Sequence, residues 1–236
     1  RGGRVHLGTP VERVMVKDGR AVGLQVHGRA EIVPCDAVIA TVSPQALLDL
    51  VPELPDPYRG QVKALRSMGA LTLVLALKHR LTDGFYWINL PKGDGPDQFP
   101  FLALVEHTNY QDPAHYGGDH IVYLGDYVPP EHPYFQMSKE ELLALFLPHL
   151  PRFNPAFTPD WVRESWLFRE PYAQPVPGLN HSQHIPPLQT PIAGLYWASM
   201  SQVYPWDRGT NYAVEMGQQV AWEVELEEGG RDREGS

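Results

Sequence analysis

The chain has 236 residues, 43% hydrophobic and 20% charged, with 24 Pro, 21 Gly and one Cys, enough length for one large domain or two small ones with a buried core. Cys35 has no partner within the chain, which excludes a disulfide scaffold, and a formal net charge of −9 argues against nucleic acid as a partner. The apolar runs Ala37 to Leu48 and Met68 to Leu77 fall short of the roughly 18 residues a membrane span needs, and no export signal opens the chain, so a soluble, cytoplasmic protein is expected, with peripheral membrane contact and oligomeric state left open.

The chain starts Arg1-Gly2-Gly3, without Met, in what reads as the middle of a folded pattern. From Arg4 to Val33, two Val-rich alternating runs flank Lys17-Asp18-Gly19-Arg20, and Asp-Gly between alternating segments predicts a hairpin within a β-meander. Ile32 to Val42 ends in a continuous apolar run, which predicts a strand buried on both faces of a parallel sheet. Ser43-Pro44 then opens a short helix, completing an α/β unit.

Beyond Pro52 the pattern predicts a helix over 56–66 and a long strand over Leu71 to Leu77. Aromatic segments broken by Pro and Gly follow at Phe85 to Leu90, Phe99 to Val105 and His120 to Tyr127, the pattern of antiparallel strands. Ser138-Lys139-Glu140-Glu141 is a capping box ahead of a helix ended by Pro148, and Trp161 to Phe168 reads as a strand. Six prolines between Pro171 and Pro191 predict a surface loop. Gly194 to Ser199 reads as a strand, and Tyr212 to Leu226 as a helix capped by Thr210 or Asn211. Its small residues Ala213, Gly217 and Ala221, with Val220 and Val224, form a stripe able to pack on a sheet. The charged, Gly-rich segment 227–236 is expected to be a disordered tail.

No nucleophile elbow, phosphate loop, zinc helix or Cys pair is present. His181 and His184 lie in the Pro-rich segment without a third ligand nearby and read as solvated loop histidines, so no metal site is expected. Cys35 reads as a small apolar filler. The carboxylates Glu140, Glu141, Glu225, Glu227 and Glu228 read as solvated faces. Tyr204 to Tyr212 differs, because it joins a strand to a helix start, where unpaired N–H groups and the macrodipole favour an anion. Gly209 permits close approach, Arg208 suits phosphate, and Thr210 and Asn211 offer hydrogen bonds; a capped helix start with an Asp207–Arg208 turn explains the same residues without a ligand.

Three blocks together resemble the C-terminal part of the FAD-dependent oxidoreductases of the amine oxidase, protoporphyrinogen oxidase and phytoene desaturase superfamily. They are Gly2-Gly3-Arg4-Val5 with Val11-Glu12-Arg13-Val14 and a Gly-turn hairpin, Cys35 to Pro44, and Gly194 to Ser199 followed by Asp207 to Ala213 and a helix. The resemblance covers nearly the whole chain, yet the family's first block, with its G-x-G-x-x-G loop, is not in it. It implies a fragment of a longer flavoprotein with an α/β fold (α+β in the middle), a partial FAD/NAD(P)-binding dinucleotide fold carrying an inserted antiparallel-sheet substrate domain. The implied borders are 1–52 and 191–226 for the FAD-binding parts and 53–190 for the insertion.

The resemblance further implies Val11, Asp207, Arg208, Gly209, Thr210 and Asn211 as FAD contacts, with the Val11 main chain at the adenine. Tyr86, Trp87, Tyr204 and Trp206 are candidates for lining the substrate cavity. The strand stretch Gly69-Ala70-Leu71-Thr72 lacks the Lys that amine oxidases often carry, which leans toward a desaturase-like or porphyrinogen-oxidase-like member. Ser199-Met200 stands where many relatives have Gly followed by an acid. The implied activity is hydride removal from a largely apolar small molecule, no catalytic residue being assigned, and the alternative is a binding or chaperone-like module that keeps the fold without the cofactor.

Overall fold

A computed structural model describes residues 2–93 and 95–234, with side chains up to Glu227. The chain forms two compact units, Arg1–Arg66 with Pro175–Ser236, and Ser67–Gln174.

In the first unit, strands β1 (Val11–Lys17) and β2 (Arg20–Val26) pair antiparallel across a two-residue turn, and β3 (Val33–Pro34) completes the meander. Asp18 and Gly19 both have positive φ, 51° and 76°, as the turn signal requires. The run expected as one doubly buried strand is broken: β3 belongs to the meander, and β4 (Val38–Ala40) pairs parallel with β10 (Leu195–Trp197). Ile39 is 41% exposed, because that parallel sheet has only two strands among the described residues and one face of β4 stays uncovered.

Helix α1 (Pro44–Leu50) begins where the Ser43 hydroxyl accepts from the Ala46 amide at 3.3 Å. Helix α2 (Asp56–Ala64) buries Tyr58 and Val62 in the same core as Leu47, Val51, Leu195 and Trp197. This packing explains why the first unit extends to residue 66, beyond the border at 52 suggested by the sequence. Helix α4 (Thr210–Glu234) continues through the segment expected to be a disordered tail, residues 235 and 236 lying outside the described residues. The Glu227 carboxylate accepts from the Tyr196 hydroxyl and from Gln189 Nε2 at 3.2 Å, and stands 3.5 Å from Arg20, so it is an anchor and not a solvated acid. Of the stripe expected on this helix, Val220 and Val224 pack, whereas its small residues Ala213, Gly217 and Ala221 are exposed. With Met216, which the stripe did not include, those two valines fill the space against Leu188, Tyr196 and Ala198.

The second unit is a five-stranded sheet in the order β6 (Trp87–Asn89), β7 (Ala103–Glu106), β8 (His120–Val128), β5 (Arg66–Leu77), β9 (Val162–Val176). The observed pairings from β6 through β5 are antiparallel. Strand β9 runs through Pro171 and Pro175, where a loop is expected, because it is an edge strand and a missing N–H there breaks no inner ladder. One sheet face buries Leu71, Leu73, Leu75, Leu77, Leu104, Val122 and Leu124 against α3 (Lys139–Phe146), whose capping box is complete.

Burial lowers the pKa of His120, and Arg80 and His79 add to that against the pull of Glu106 and Asp119; burial and then Arg152 lower that of His149. Unfolding lets both imidazoles take up protons below their ordinary pKa, about 6.5, so stability is gained as pH rises through the window that ends there. The urea midpoint is expected to be higher at pH 7.5 than at pH 5.5, and the double substitution His120→Gln, His149→Gln is expected to flatten that difference.

Candidate functional site

The second face of the large sheet carries an open pocket of about 410 Å³. Alternation brings Trp87 and Asn89 of β6, Ala103 and Val105 of β7, Tyr123, Gly125 and Tyr127 of β8, and Ala70 and Thr72 of β5 to this one face. Tyr86 and Trp87, expected from the sequence to line a substrate cavity, are both at its wall. Tyr204 and Trp206 belong to the first unit: Tyr204 lies against His181 at 5.4 Å, and Trp206 stacks on Tyr212 at 6.2 Å with planes 4° apart.

His107 lines the same pocket, its Nε2 2.7 Å from the Tyr116 hydroxyl and its ring edge-on to Tyr123 at 5.8 Å. Burial, followed by the Tyr116 and Tyr86 phenols, pushes the Tyr123 pKa up, so that phenol is neutral at physiological pH. Burial likewise raises the pKa of Asp126, against the pull of Lys92, whose Nζ donates to the carboxylate at 2.9 Å. The wall is aromatic and the floor is made of small side chains, a mostly apolar lining.

At the start of α4, the Arg208 amide donates to Asp207 Oδ1 at 2.8 Å, and their side chains stand 3.7 Å apart. The first helical residue is Thr210, so the expected cap moves one position back to Gly209, whose carbonyl accepts from the Ala213 amide at 3.0 Å. A Cβ at Gly209 would come within 2.7 Å of Asn211 Oδ1, so a side chain at 209 would make the Asn211 amide move. As at any helix start, the amides of Thr210, Asn211 and Tyr212 lack intrahelical acceptors.

Val11 lies on β1, which pairs only with β2 among the described residues. His27 N donates to the Pro10 carbonyl at 2.9 Å beside the Val11–Val26 pair, the pattern of a non-hydrogen-bonded antiparallel pair. The N–H and C=O of Val11 therefore turn to the open strand edge. Gly194, with φ 69°, closes the meander onto β10, where a Cβ would stand 3.0 Å from the Asp36 carbonyl. Cys35 is half-buried; burial and then Asp36 raise its pKa, which disfavours a thiolate. His181, read from the sequence as solvated, is buried, its Nε2 3.4 Å from the Ser201 carbonyl, whereas His184 is exposed.

Sequence reasoning missed His107, Tyr123 and Gly125. Tyr123 and Gly125 share one face of β8 and His107 follows the end of β7, a placement that becomes visible only once the strand register is known.

No helix of the described residues is long and apolar enough to cross a membrane. A comparison with curated protein sequences finds none that matches. Among solved structures, the chain is similar to an oxidoreductase from Methanosarcina mazei, at 22% identity and TM-score 0.60, covering 85% of this chain and 45% of that one. It is also similar to a protein assigned as a protoporphyrinogen oxidase from Exiguobacterium sp. 255-15, at 17% identity and TM-score 0.69 over 93% and 47% of the two chains. A putrescine oxidase bound to putrescine shares 18% identity, TM-score 0.66, over 94% and 49%. The chain thus spans less than half the length of each of these structures, and at such identities the likeness shows the fold: that of FAD-dependent oxidoreductases. The model of the flavin containing amine oxidoreductases matches residues 1–225, and the chain belongs to that family.

Proposed function

We propose that the chain is the cofactor-contacting and substrate-binding part of an FAD-dependent oxidoreductase that removes hydride from a largely apolar organic substrate. The observation that carries this reading is the aromatic-walled pocket on the sheet of the second unit, in a chain of this family. The residues present fit a dinucleotide. The outward main chain of Val11 offers one donor and one acceptor to an adenine edge. The amides at the start of α4, with Arg208, offer donors to an anionic or carbonyl-rich ligand, and Gly209 lets it approach. When bound, a flavin supplies the acceptor for the hydride. The pocket side chains hold the substrate, and Tyr86, Trp87 and Tyr123 keep water from it.

The test is flavin content in the natural protein at its full length. Visible flavin absorbance is expected after purification, and Arg208→Ala with Asn211→Ala is expected to weaken FAD binding at least about tenfold, the equivalent of one lost charged hydrogen bond. A full-length protein that is colourless and takes up no added FAD overturns the reading in favour of a cofactor-free binding module.

A further inference from the structure

Gly125 lies in the middle of β8, an inner strand of its sheet, where glycine is an unfavourable choice. Neither backbone nor packing asks for it: its φ is not among the positive ones, and a Cβ built on it meets no atom within 4 Å. Gly69 on the neighbouring strand shows the contrast, since a Cβ there would come within 2.4 Å of Phe135 Cζ. The absent side chain at 125 leaves open space, and that space is the pocket.

The register shows its shape. Asn89, Ala103, Gly125 and Thr72 are direct cross-strand neighbours, a row of short side chains across four strands. Trp87, Val105 and Tyr123 form the bulky row on one side, and Tyr127 stands on the other. Three strand spacings of about 4.8 Å make the row about 14 Å long. The four steps along the strand from Tyr123 to Tyr127 span about 13 Å, and the flanking rings narrow the clear width to about 7 Å. Asn89 Oδ1 is held by Trp87 Nε1 at 2.8 Å, so the Asn89 amide presents its hydrogens at one end of the row.

We propose that this row is a slot for a flat, apolar ring system of about two fused rings carrying a hydrogen-bond acceptor at the Asn89 end, and that Gly125 sets its depth and so the substrate's shape. The proposal rests on reading this pocket as the substrate site. A two-ring system matches the width, lies face-down on Ala103 and Gly125, and meets aromatic walls at its edges. A flexible alkyl chain of equal carbon number gains nothing from a floor so broad.

The test needs no flavin, so its failure is distinct from failure of the cofactor reading. The probe is prodan, an uncharged naphthalene dye with a ketone acceptor, titrated into the chain. Saturable, blue-shifted emission is expected, displaced by 2-naphthol but not by 1-octanol at equal concentration. Gly125→Val is expected to weaken dye binding at least tenfold with an unchanged circular dichroism spectrum and no loss of unfolding midpoint; should that variant fold poorly, Gly125→Ala reads the same effect at smaller size. Absence of saturable binding, binding by a folded Gly125 variant within twofold of the parent, or displacement by 1-octanol as strong as by 2-naphthol overturns the proposal.

Discussion

Replacing Glu106 by alanine is expected to destabilise the second unit by about 4 kcal/mol, because the cost of unpaired buried donors at roughly 1–3 kcal/mol each accumulates over several of them. The side chain is fully buried at the end of β7 and no Lys or Arg is paired with it among the described residues. It is held by hydrogen bonds: the amides of Leu81 and Thr82 donate at 2.8 and 2.7 Å, the Thr82 hydroxyl at 2.5 Å, and Asn109 Nδ2 at 3.0 Å. These donors come from the turn after β5 and the 3-10 turn after β7, so one anion fastens two connections next to the strand that carries Val105. Glutamine in its place keeps the shape but turns one acceptor into a donor that faces donors, so Glu106→Gln is expected to lose nearly as much as alanine. Two compact units need not unfold together, so the measurement is hydrogen exchange resolved by segment. Amides of 71–77 and 121–128 should exchange far faster in the variant while those of 44–50 stay protected. A loss below about 1 kcal/mol would show that solvent replaces the carboxylate at little cost.

Much of the architecture was legible because its signals are local. Asp18-Gly19 dictates a turn through backbone sterics, Ser138 with Glu141 closes a helix start, and alternation marks β5, β7 and β8. Local signals failed where neighbours in space decide. Pro171 and Pro175 break a strand only if both edges must be paired, and edge position is a property of the whole sheet. Glu227 reads as a tail residue until Tyr196, Gln189 and Arg20 are brought around it from three other segments. The stripe expected on α4 holds at Val220 and Val224 and fails at Ala213, Gly217 and Ala221, since period alone does not say which side of the helix meets Tyr196.

The same distinction runs through the site. The segment Asp207 to Asn211 was visible as a helix start, a local motif, and the structure keeps the Asp207–Arg208 turn that such a start forms with or without a ligand. The pocket was visible only in part: Tyr86 and Trp87 stand out as aromatics, whereas the floor is made by what is missing from Ala70, Ala103 and Gly125. A small residue in a strand carries no signal by itself. Asn89, Ala103, Gly125 and Thr72 aligned across strands do, and that alignment is set by register, which depends on pairings up to 53 residues apart between Thr72 and Gly125.

Trp197→Ala is expected to unfold the first unit under mild denaturant. The indole is fully buried at the end of β10 among Leu47, Val51, Leu54 and Val62, and its Nε1 donates to the Val42 carbonyl at 2.9 Å. Removing so large a buried ring costs about 3–5 kcal/mol, and leaving the carbonyl unpaired adds about 1 kcal/mol. That sum is a large share of the roughly 5–15 kcal/mol that stabilises a domain. Trp197 also closes the short parallel pairing of β4 with β10, and helix α4 is seated on Tyr196 of that strand and on Ala198 just after it, so the loss propagates to the helix start at Thr210. Trp197→Phe separates the two contributions: most of the ring survives, the donor does not, and a smaller loss of about 1–2 kcal/mol is expected. Segment-resolved exchange again reads the result. Amides of 44–50 and 210–227 should lose protection in Trp197→Ala, with those of 121–128 unchanged, and prodan binding by the second unit should persist. Equal protection of helix α4 in the alanine variant would mean that Met216, Val220 and Val224 hold it against Leu188 without the strand beneath.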